Sequence, residues 1–254
     1  MIELEPDAYA SCPLLTEVPI FTGTARAVVE RLAAGRIWLD GRTAHALHNY
    51  GMGLVWGEDV GRAFPELIAH LKGGEYREKD EWLQIDPRWA YLDWDGQLAA
   101  PRFTRVNFRF DRDVFTARHS EPALPPGWSI APLRESEFDL PDIAVSPRPF
   151  WKSFASFSAH GGGVCAVKDG EVGAIAFSAT RFDGWLEIGI ETRAAYRGQG
   201  LARAVAAAMI RKCLASDLTP VWACRKENTA SLMLAQSLGF MVTKEVPFWQ
   251  LAAR

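Results

Sequence analysis

The sequence lacks several features that would point to special classes of protein. It has 4 cysteines in 254 residues, with no Cys-x-x-Cys pair and no histidine at metal-ligand spacing from any of them. No apolar run approaches the roughly 20 residues that a membrane-spanning helix needs. The opening segment, MIELEPDAYASCPLL, has no basic stretch ahead of an apolar one and does not resemble a secretion signal. We therefore expect free thiols, no metal site, no membrane association and a cytoplasmic location.

An excess of positive charge is also absent. The formal net charge is −3, so the sequence shows no electrostatic footprint for nucleic-acid binding. Counted along the sequence, residues 1–127 carry a net charge of −5 and residues 128–254 a net charge of +2. The second half is therefore better suited to an anionic ligand and the first half to a cationic one.

A proline- and glycine-rich stretch, SEPALPPG at 120–127, divides the chain. Strand-like and helix-like segments alternate on both sides of it, which predicts a mixed α/β fold. We expect an N-terminal domain over 1–120, a linker over 121–127 and a second domain over 128–254. The elements predicted for the second domain are a hairpin over 163–180, a strand over 185–192, a helix over 199–216, a strand over 220–224 and a helix over 227–238.

The helix predicted over 199–216 has no side chain to cap its N-terminus. The turn Arg197-Gly198-Gln199-Gly200 leads directly into the helix, without Ser, Thr, Asp or Asn. Bare amides at a helix start and the helix dipole bind anions, and glycine lets an anion approach the main chain. We expect a bound anion to cap this helix, with Arg197 either adding a donor or bracing the turn.

Two common phosphate-binding loops do not fit this turn. No Lys-Ser or Lys-Thr follows the glycines, and Arg203 stands where the dinucleotide pattern needs a third glycine. The segment RGQGLA over 197–202 instead has the pattern Arg-x-x-Gly-x-Ala, which resembles the pyrophosphate loop of GNAT superfamily N-acetyltransferases. The order of elements around it is similar to that superfamily too, and it ends in ENTASLMLAQSLGF at 227–240.

Further segments resemble the GNAT subfamily that includes the zwittermicin A resistance acetyltransferase. These segments are FWKSFASF at 150–157, EIGIET at 187–192, YRGQGLA at 196–202 and VWACRKENTASLMLAQSLGF at 221–240. In the first half, GRIWLDGRTAHAL and GLVWGE are similar to its N-terminal region. The resemblance implies a GNAT acyltransferase fold over 128–254. Together with the strand and helix pattern, it indicates a divergent GNAT-like copy without a cofactor over 1–120.

The resemblance implies direct transfer of acetyl from acetyl-coenzyme A to a primary amine of a small molecule, antibiotic-like or a metabolite. A peptide or protein amine as acceptor, and a non-catalytic acyl-coenzyme A-binding module, remain as alternatives. The oligomeric state is not indicated. The implied cofactor-binding residues are Ile188, Gly189, Ile190, Arg197, Gly198, Gln199, Gly200, Leu201, Ala202, Asn228 and Ser231.

An amine with a pKa near 10.4 arrives protonated at neutral pH, so a base must accept a proton. In the superfamily a carboxylate on or near the fourth strand often does this. Glu187 and Glu191 share one face of the strand 185–192 by alternation and are the candidates, unless both are solvated charges of the sheet. Many members also carry a tyrosine acid seven residues after the asparagine, where this chain has Ala235. Ser231 and water remain to protonate the thiolate, whose pKa of about 8.5 lets it leave without much help.

Overall fold

The computed structural model describes residues 1–118 and 124–254, which form two compact units. Unit 1 comprises Met1–Asn107, Arg225–Glu227 and Lys244–Arg254, and unit 2 comprises Phe108–Cys224 and Asn228–Thr243. The units divide the chain differently from the predicted domains, because residues from the end of the chain belong with the N-terminal ones. Residues 121–123 of the predicted linker lie outside the described residues. The domain bounds of 1–120 and 128–254 stay a prediction.

The elements follow in chain order. The strands are β1 (Ile2–Glu3), β2 (Gly35–Asp40), β3 (Thr43–His48), β4 (Met52–Gly57), β5 (Glu81–Ile85), β6 (Arg102–Phe110), β7 (Ser129–Pro132), β8 (Gly163–Lys168), β9 (Glu171–Phe182), β10 (Trp185–Thr192), β11 (Thr219–Val221), β12 (Ala223–Arg225) and β13 (Phe240–Leu251). The helices are α1 (Gly23–Val29), α2 (Val60–Gly73), α3 (Trp94–Leu98), α4 (Arg112–Arg118), α5 (Phe154–Ala159), α6 (Leu201–Ala215) and α7 (Thr229–Ser237).

The strands form two mixed sheets. An eight-stranded sheet has the order β1-β2-β3-β4-β5-β13-β6-β12, and a five-stranded sheet has the order β11-β10-β9-β8-β7. Within unit 1, β4 and β5 are parallel, and the last residues of β13 run antiparallel to β5, with Phe248 opposite Gln84. In unit 2 the sheet is antiparallel except for the parallel pair β10 and β11. These mixed sheets with helices confirm the predicted α/β class.

The core of unit 1 forms where helices cover strands. The apolar residues of α2 recur at helical spacing, and Val60, Leu67 and Leu71 are buried. They pack with Leu83 and Ile85 of β5 in one apolar cluster. This packing holds α2 against the sheet, which matters below because α2 also carries a histidine into a polar cluster.

The strands β10 and β11 pair over only a short length. Trp185, Leu186 and Glu187 lie opposite Thr219–Val221, whereas residues 188–192 of β10 pair with β9 alone within the described chain. The predicted strand over 220–224 is in fact two strands, of which β11 joins β10 and β12 belongs to the eight-stranded sheet. Among the described residues, one edge of β10 is therefore open from Ile188 onward.

Candidate active site

A cavity of about 800 Å³ lies in unit 2, where the C-terminal half of β10, the following loop and the start of α6 face α7. Its volume falls in the range of small-molecule sites. The lining residues are Ile190, Glu191, Thr192, Tyr196, Arg197, Gly198, Gly200, Leu201, Ala202, Arg203, Asn228, Ala230, Ser231, Met233, Leu234 and Ser237.

The start of α6 presents uncapped amides at the wall of this cavity. Gly200 is the N-cap residue of α6, and no side chain caps the helix. In the described parts of the chain, the amides of residues 198–203 donate to no carbonyl and no side chain, and the first helical bond is from the Ala204 amide to the Gly200 oxygen. Gly198 and Gly200 are left-handed, with φ of 77° and 80°, and a Cβ on either would point into open space. Uncapped amides behind left-handed glycines at a helix start are suited to an anion.

Arg197 braces the turn as well as lining the cavity. Its Nε donates to the Thr192 carbonyl at 3.2 Å, and its Nη2 lies 3.4 Å from Oε1 of Glu191. The same carboxylate oxygen accepts a hydrogen bond from the Thr192 amide at 3.0 Å. Because 65% of the Arg197 side chain is exposed, its guanidinium remains accessible to a ligand.

The loop between β10 and α6 is held at its other residues too. Nη1 of Arg193 donates to the Val172 carbonyl at 2.8 Å, and its Nη2 donates to Asp142 at 3.0 Å. The Tyr196 hydroxyl donates to Glu171, and this hydrogen bond raises the pKa of Tyr196. These contacts hold the loop in one conformation without a ligand. The loss of conformational entropy on ligand binding is therefore smaller.

Glu187 lies outside the lining of the cavity and is buried. Its Oε2 accepts a hydrogen bond from Oγ1 of Thr180 at 3.3 Å. It is also the last residue of β10 with a partner in β11. The register with β9 shifts directly after it, since Glu187 pairs with Thr180 but Ile188 pairs with Ser178. The Glu187 carboxylate is thus placed where β10 and β11 separate.

The structure brings most, but not all, of the predicted residues to the cavity. Ile188, Gly189 and Gln199 are absent from its lining, as is Glu187, whereas Glu191 contributes to it. Ile188 is buried, and Gly189 has a packing role, because a Cβ at this position would collide with the Phe177 ring. The side chains of Ile188 and Gly189 are therefore accounted for within the sheet.

The start of α7 is capped by its own asparagine. Oδ1 of Asn228 accepts a hydrogen bond from the Ser231 amide at 3.1 Å. Oγ of Ser231 accepts one from the Trp222 indole, also at 3.1 Å. Both residues nevertheless line the cavity, so neither contact excludes a role in ligand binding. Ala235 is wholly buried and takes no part in the lining.

Several lining residues were not predicted. Four of them, Ala230, Met233, Leu234 and Ser237, recur at helical spacing and form one face of α7. That periodicity is visible in the sequence and identifies the face once the helix is known to border a cavity. Thr192, Tyr196 and Arg203 flank predicted positions. The residues of α7 in the wall include no tyrosine, and Tyr196 of the wall belongs to the loop before α6.

Residues 1–118 and 124–254 contain no group of three or more histidine, cysteine or acidic side chains that could hold a metal ion. All four cysteines are free, and burial raises the pKa of the Cys165 thiol to about 11 and that of Cys213 to about 12. Over the same part of the chain, every helix is too short or too polar to traverse a bilayer.

Comparison with known proteins identifies the family. The family model described as GNAT acetyltransferase matches residues 22–248, which is most of the chain. The chain belongs to the GNAT acetyltransferase family. Enzymes of this family use acetyl-coenzyme A, which is the co-substrate that the resemblance in the sequence implies.

A curated relative and two solved structures agree with this family. The chain is 32% identical to the uncharacterized N-acetyltransferase YdfB of Bacillus subtilis over 96 residues, which is 38% of this chain and only 37% of YdfB. A GCN5-related N-acetyltransferase-like protein from Streptococcus suis superposes with a TM-score of 0.69 at 23% identity, covering 89% of this chain and 90% of that one. A tandem GNAT protein from the clavulanic acid biosynthesis pathway superposes with a TM-score of 0.63 at 15% identity, covering 100% and 98%. At these identities the two structures show the fold alone, and that fold confirms the predicted GNAT architecture.

Proposed function

We propose that this GNAT protein transfers acetyl from acetyl-coenzyme A directly to a primary amine of a small molecule. The observation that carries the proposal is the row of unpartnered amides of residues 198–203 at the wall of the cavity. These amides, the dipole of α6 and the exposed guanidinium of Arg197 suit the pyrophosphate of the co-substrate. Acetyl-coenzyme A supplies the acetyl group as a thioester.

The open edge of β10 suits the pantetheine arm. Since residues 188–192 have a strand partner on one side only, the main chain of Ile188 and Ile190 has hydrogen-bonding groups for the amides of pantetheine. An arm that runs from the glycine turn along this edge ends where β10 meets β11. That point is next to Glu187, so we place the thioester near its carboxylate.

In this arrangement Glu187 accepts the proton that the attacking amine loses. The amine nitrogen forms a bond to the thioester carbon, and the carbon–sulfur bond breaks to release the thiolate. Ser231 lines the cavity and accepts a hydrogen bond from Trp222, which leaves its own hydroxyl hydrogen for donation. A water molecule, or Ser231 as it takes a proton from water, then protonates the thiolate. We assign Glu191 to bracing Arg197 rather than to proton transfer, because its carboxylate is bonded within the turn.

The proposal extends to the kind of acceptor and to the subfamily. The net charge of −5 over residues 1–127 favours a cationic acceptor, and an amine that is protonated in solution has that charge. The resemblance to the zwittermicin A resistance subfamily supports an amine-bearing antibiotic or a related metabolite, encountered in the cytoplasm. A peptide or protein amine is the alternative acceptor.

The experiment is a turnover assay with acetyl-coenzyme A and a panel of small amines and amine-bearing peptides, run on the protein and on Glu187→Gln. Glutamine keeps the size of the side chain and an oxygen for Thr180 but does not accept a proton, so kcat should fall by about 10²-fold or more. The exposed Glu135→Gln of the same unit is the control and should keep full activity.

Each other outcome contradicts a defined part of the proposal. Full activity of Glu187→Gln would exclude Glu187 as the base. If the protein acetylated the peptides but none of the small amines, the acceptor would be a peptide or protein amine and not a small molecule. Binding of acetyl-coenzyme A without turnover of any amine would favour the non-catalytic module.

A further inference from the structure

Unit 1 contains a second cavity, of about 560 Å³, which is separate from the acetyl-coenzyme A site. Trp38, Tyr76 and His70 are among its lining residues, together with Glu3 and Arg36. The volume is sufficient for a small molecule. A cavity with aromatic walls and a histidine is an unexpected feature in a domain predicted to lack a cofactor.

Behind this cavity, a chain of buried hydrogen bonds connects a carboxylate to His70. Nε2 of His45 lies 2.7 Å from Oε1 of Glu81, and Nδ1 of His45 lies 3.0 Å from Nε2 of His70. Glu81 and His45 are wholly buried. Gly53 makes room for the carboxylate, because a Cβ there would collide with it. The other oxygen of Glu81 accepts a hydrogen bond from the Tyr76 hydroxyl at 3.1 Å and lies 3.3 Å from Nε of Arg77.

This chain sets the tautomers of both imidazoles. The Glu81 carboxylate pairs with Arg77 and accepts a hydrogen bond from Tyr76, so a neutral His45 beside it donates from Nε2 and accepts at Nδ1. His70 must then donate from Nε2, and its Nδ1 carries a lone pair. Burial is the largest cause that lowers the pKa of His70 to about 3, and the positive charges of Arg77 and Arg36 lower it further. His70 is therefore neutral at pH 7, and its remaining ring nitrogen is a hydrogen-bond acceptor.

The charges of the wall largely cancel. Nε and Nη2 of Arg36 donate to the two carboxylate oxygens of Glu3, at 2.6 Å and 2.5 Å. The guanidinium also lies over the Trp38 ring, 5.0 Å from its centroid, and the rings of Tyr76 and His70 stack at 4.7 Å. Paired ions favour an uncharged ligand, and aromatic walls favour a flat one.

We propose that this cavity binds an uncharged, flat heterocycle through an N–H group that the ligand donates to Nδ1 of His70. The ligand class follows from the acceptor, the paired ions and the aromatic walls taken together. The proposal is independent of the acetyl transfer, because every residue that carries it belongs to unit 1.

The test compares two probes that differ in one group, benzimidazole and 1-methylbenzimidazole, in the absence of acetyl-coenzyme A. Both are neutral at pH 8, and only the first has an N–H. Nuclear magnetic resonance of the ¹⁵N-labelled imidazoles reports both the tautomer and the binding. We expect an unprotonated Nδ1 on His70 and a benzimidazole affinity about tenfold or more above that of the methylated probe, the equivalent of one hydrogen bond to a neutral acceptor.

The substitution Glu81→Gln should reverse the donor and acceptor roles along the hydrogen bonds that join Glu81, His45 and His70. The Tyr76 hydroxyl and Arg77 keep the amide oxygen on their side, so the amide nitrogen donates to His45, and His70 becomes a donor at Nδ1. The preference for benzimidazole should then be lost, whereas Glu66→Gln, an exposed position of α2 outside the cavity lining, should preserve it. Equal affinities for the two probes in the wild-type protein, binding of neither probe, or a protonated Nδ1 on His70 would each overturn the proposal. These three readouts use the wild-type protein and do not depend on the folding of the variant.

Discussion

At the scale of single residues, two glutamates four positions apart on one strand have different surroundings. Glu187 is buried at the point where β10 and β11 part, with Thr180 as a hydrogen-bond donor. Glu191 lies on the cavity wall and is bonded to Thr192 and Arg197 of the adjoining turn. The alternation in the sequence identifies both as candidates but treats them alike. The proposed division into a base and a brace depends on strand pairing and on the fold of the turn, and alternation along the sequence reveals neither.

A bracing role for Glu191 predicts a kinetic effect distinct from that of a base. Glu191→Gln weakens an ion pair whose arginine is mostly exposed, so the loss should be about 0.2–1 kcal/mol and the KM for acetyl-coenzyme A should rise about 1.4- to 5-fold. The kcat should stay within about twofold, because no proton-transfer group is lost. Steady-state kinetics measure both. The matched control is Glu245→Gln, which breaks the exposed Lys226–Glu245 pair of unit 1 and should change neither value. A hundredfold fall in kcat at constant KM would make Glu191 the base instead.

At the scale of elements, local patterns predict the parts of unit 2 that depend on local forces. The strand 185–192 has the predicted bounds, and α6 over Leu201–Ala215 lies within the predicted helix. The segment 220–224 differs, because two strands of three residues each are decided by their partners in separate sheets rather than by their own sequence. Likewise the face of α7 that borders the cavity depends on packing, although its periodicity is present in the sequence.

Capping of α7 by Asn228 predicts a separation of stability from binding. Asn228→Ala removes the cap and should cost about 1 kcal/mol, a fall in Tm of about 2–4 °C, whereas Asn228→Ser keeps a capping oxygen and should preserve the Tm. If Asn228 also contacts the co-substrate, both variants should bind acetyl-coenzyme A more weakly. Thermal unfolding followed by circular dichroism and a binding titration measure the two effects. An unchanged Tm in Asn228→Ala would contradict the capping role.

At the scale of the whole molecule, the end of the chain is part of unit 1. Residues 244–254 belong to that unit, and Phe248, Trp249 and Leu251 of β13 are buried, with β13 paired to β5. The proline-rich stretch at 120–127 is the strongest break in the sequence, but nothing in it indicates that the end of the chain belongs with residues 1–107. Long-range pairing determines which strand completes a sheet. A change of composition along the chain does not reveal that pairing.

This arrangement predicts that the fragment 128–254 does not fold as an independent domain. Without residues 1–107 the apolar side chains of β13 lose the core in which they are buried, so the fragment should aggregate or unfold without a cooperative transition. Size-exclusion chromatography and thermal unfolding, with the full chain as the control, decide the matter. A soluble fragment with a cooperative transition near that of the full chain would show that the predicted domain is autonomous.

The measurement that tests the central claim most directly is calorimetric titration with acetyl-coenzyme A of the wild-type protein, Gly200→Val and Gly170→Val. Both glycines are left-handed, with φ of 80° and 83°, and a Cβ at either meets nothing within 4 Å, so the two variants have similar backbone strain. Only Gly200 adjoins the unpartnered amides of the cavity. We expect micromolar binding to the wild-type protein and to Gly170→Val, and a loss of about tenfold or more in Gly200→Val. Equal affinity of all three proteins for acetyl-coenzyme A would contradict the assignment of the glycine turn as the pyrophosphate site.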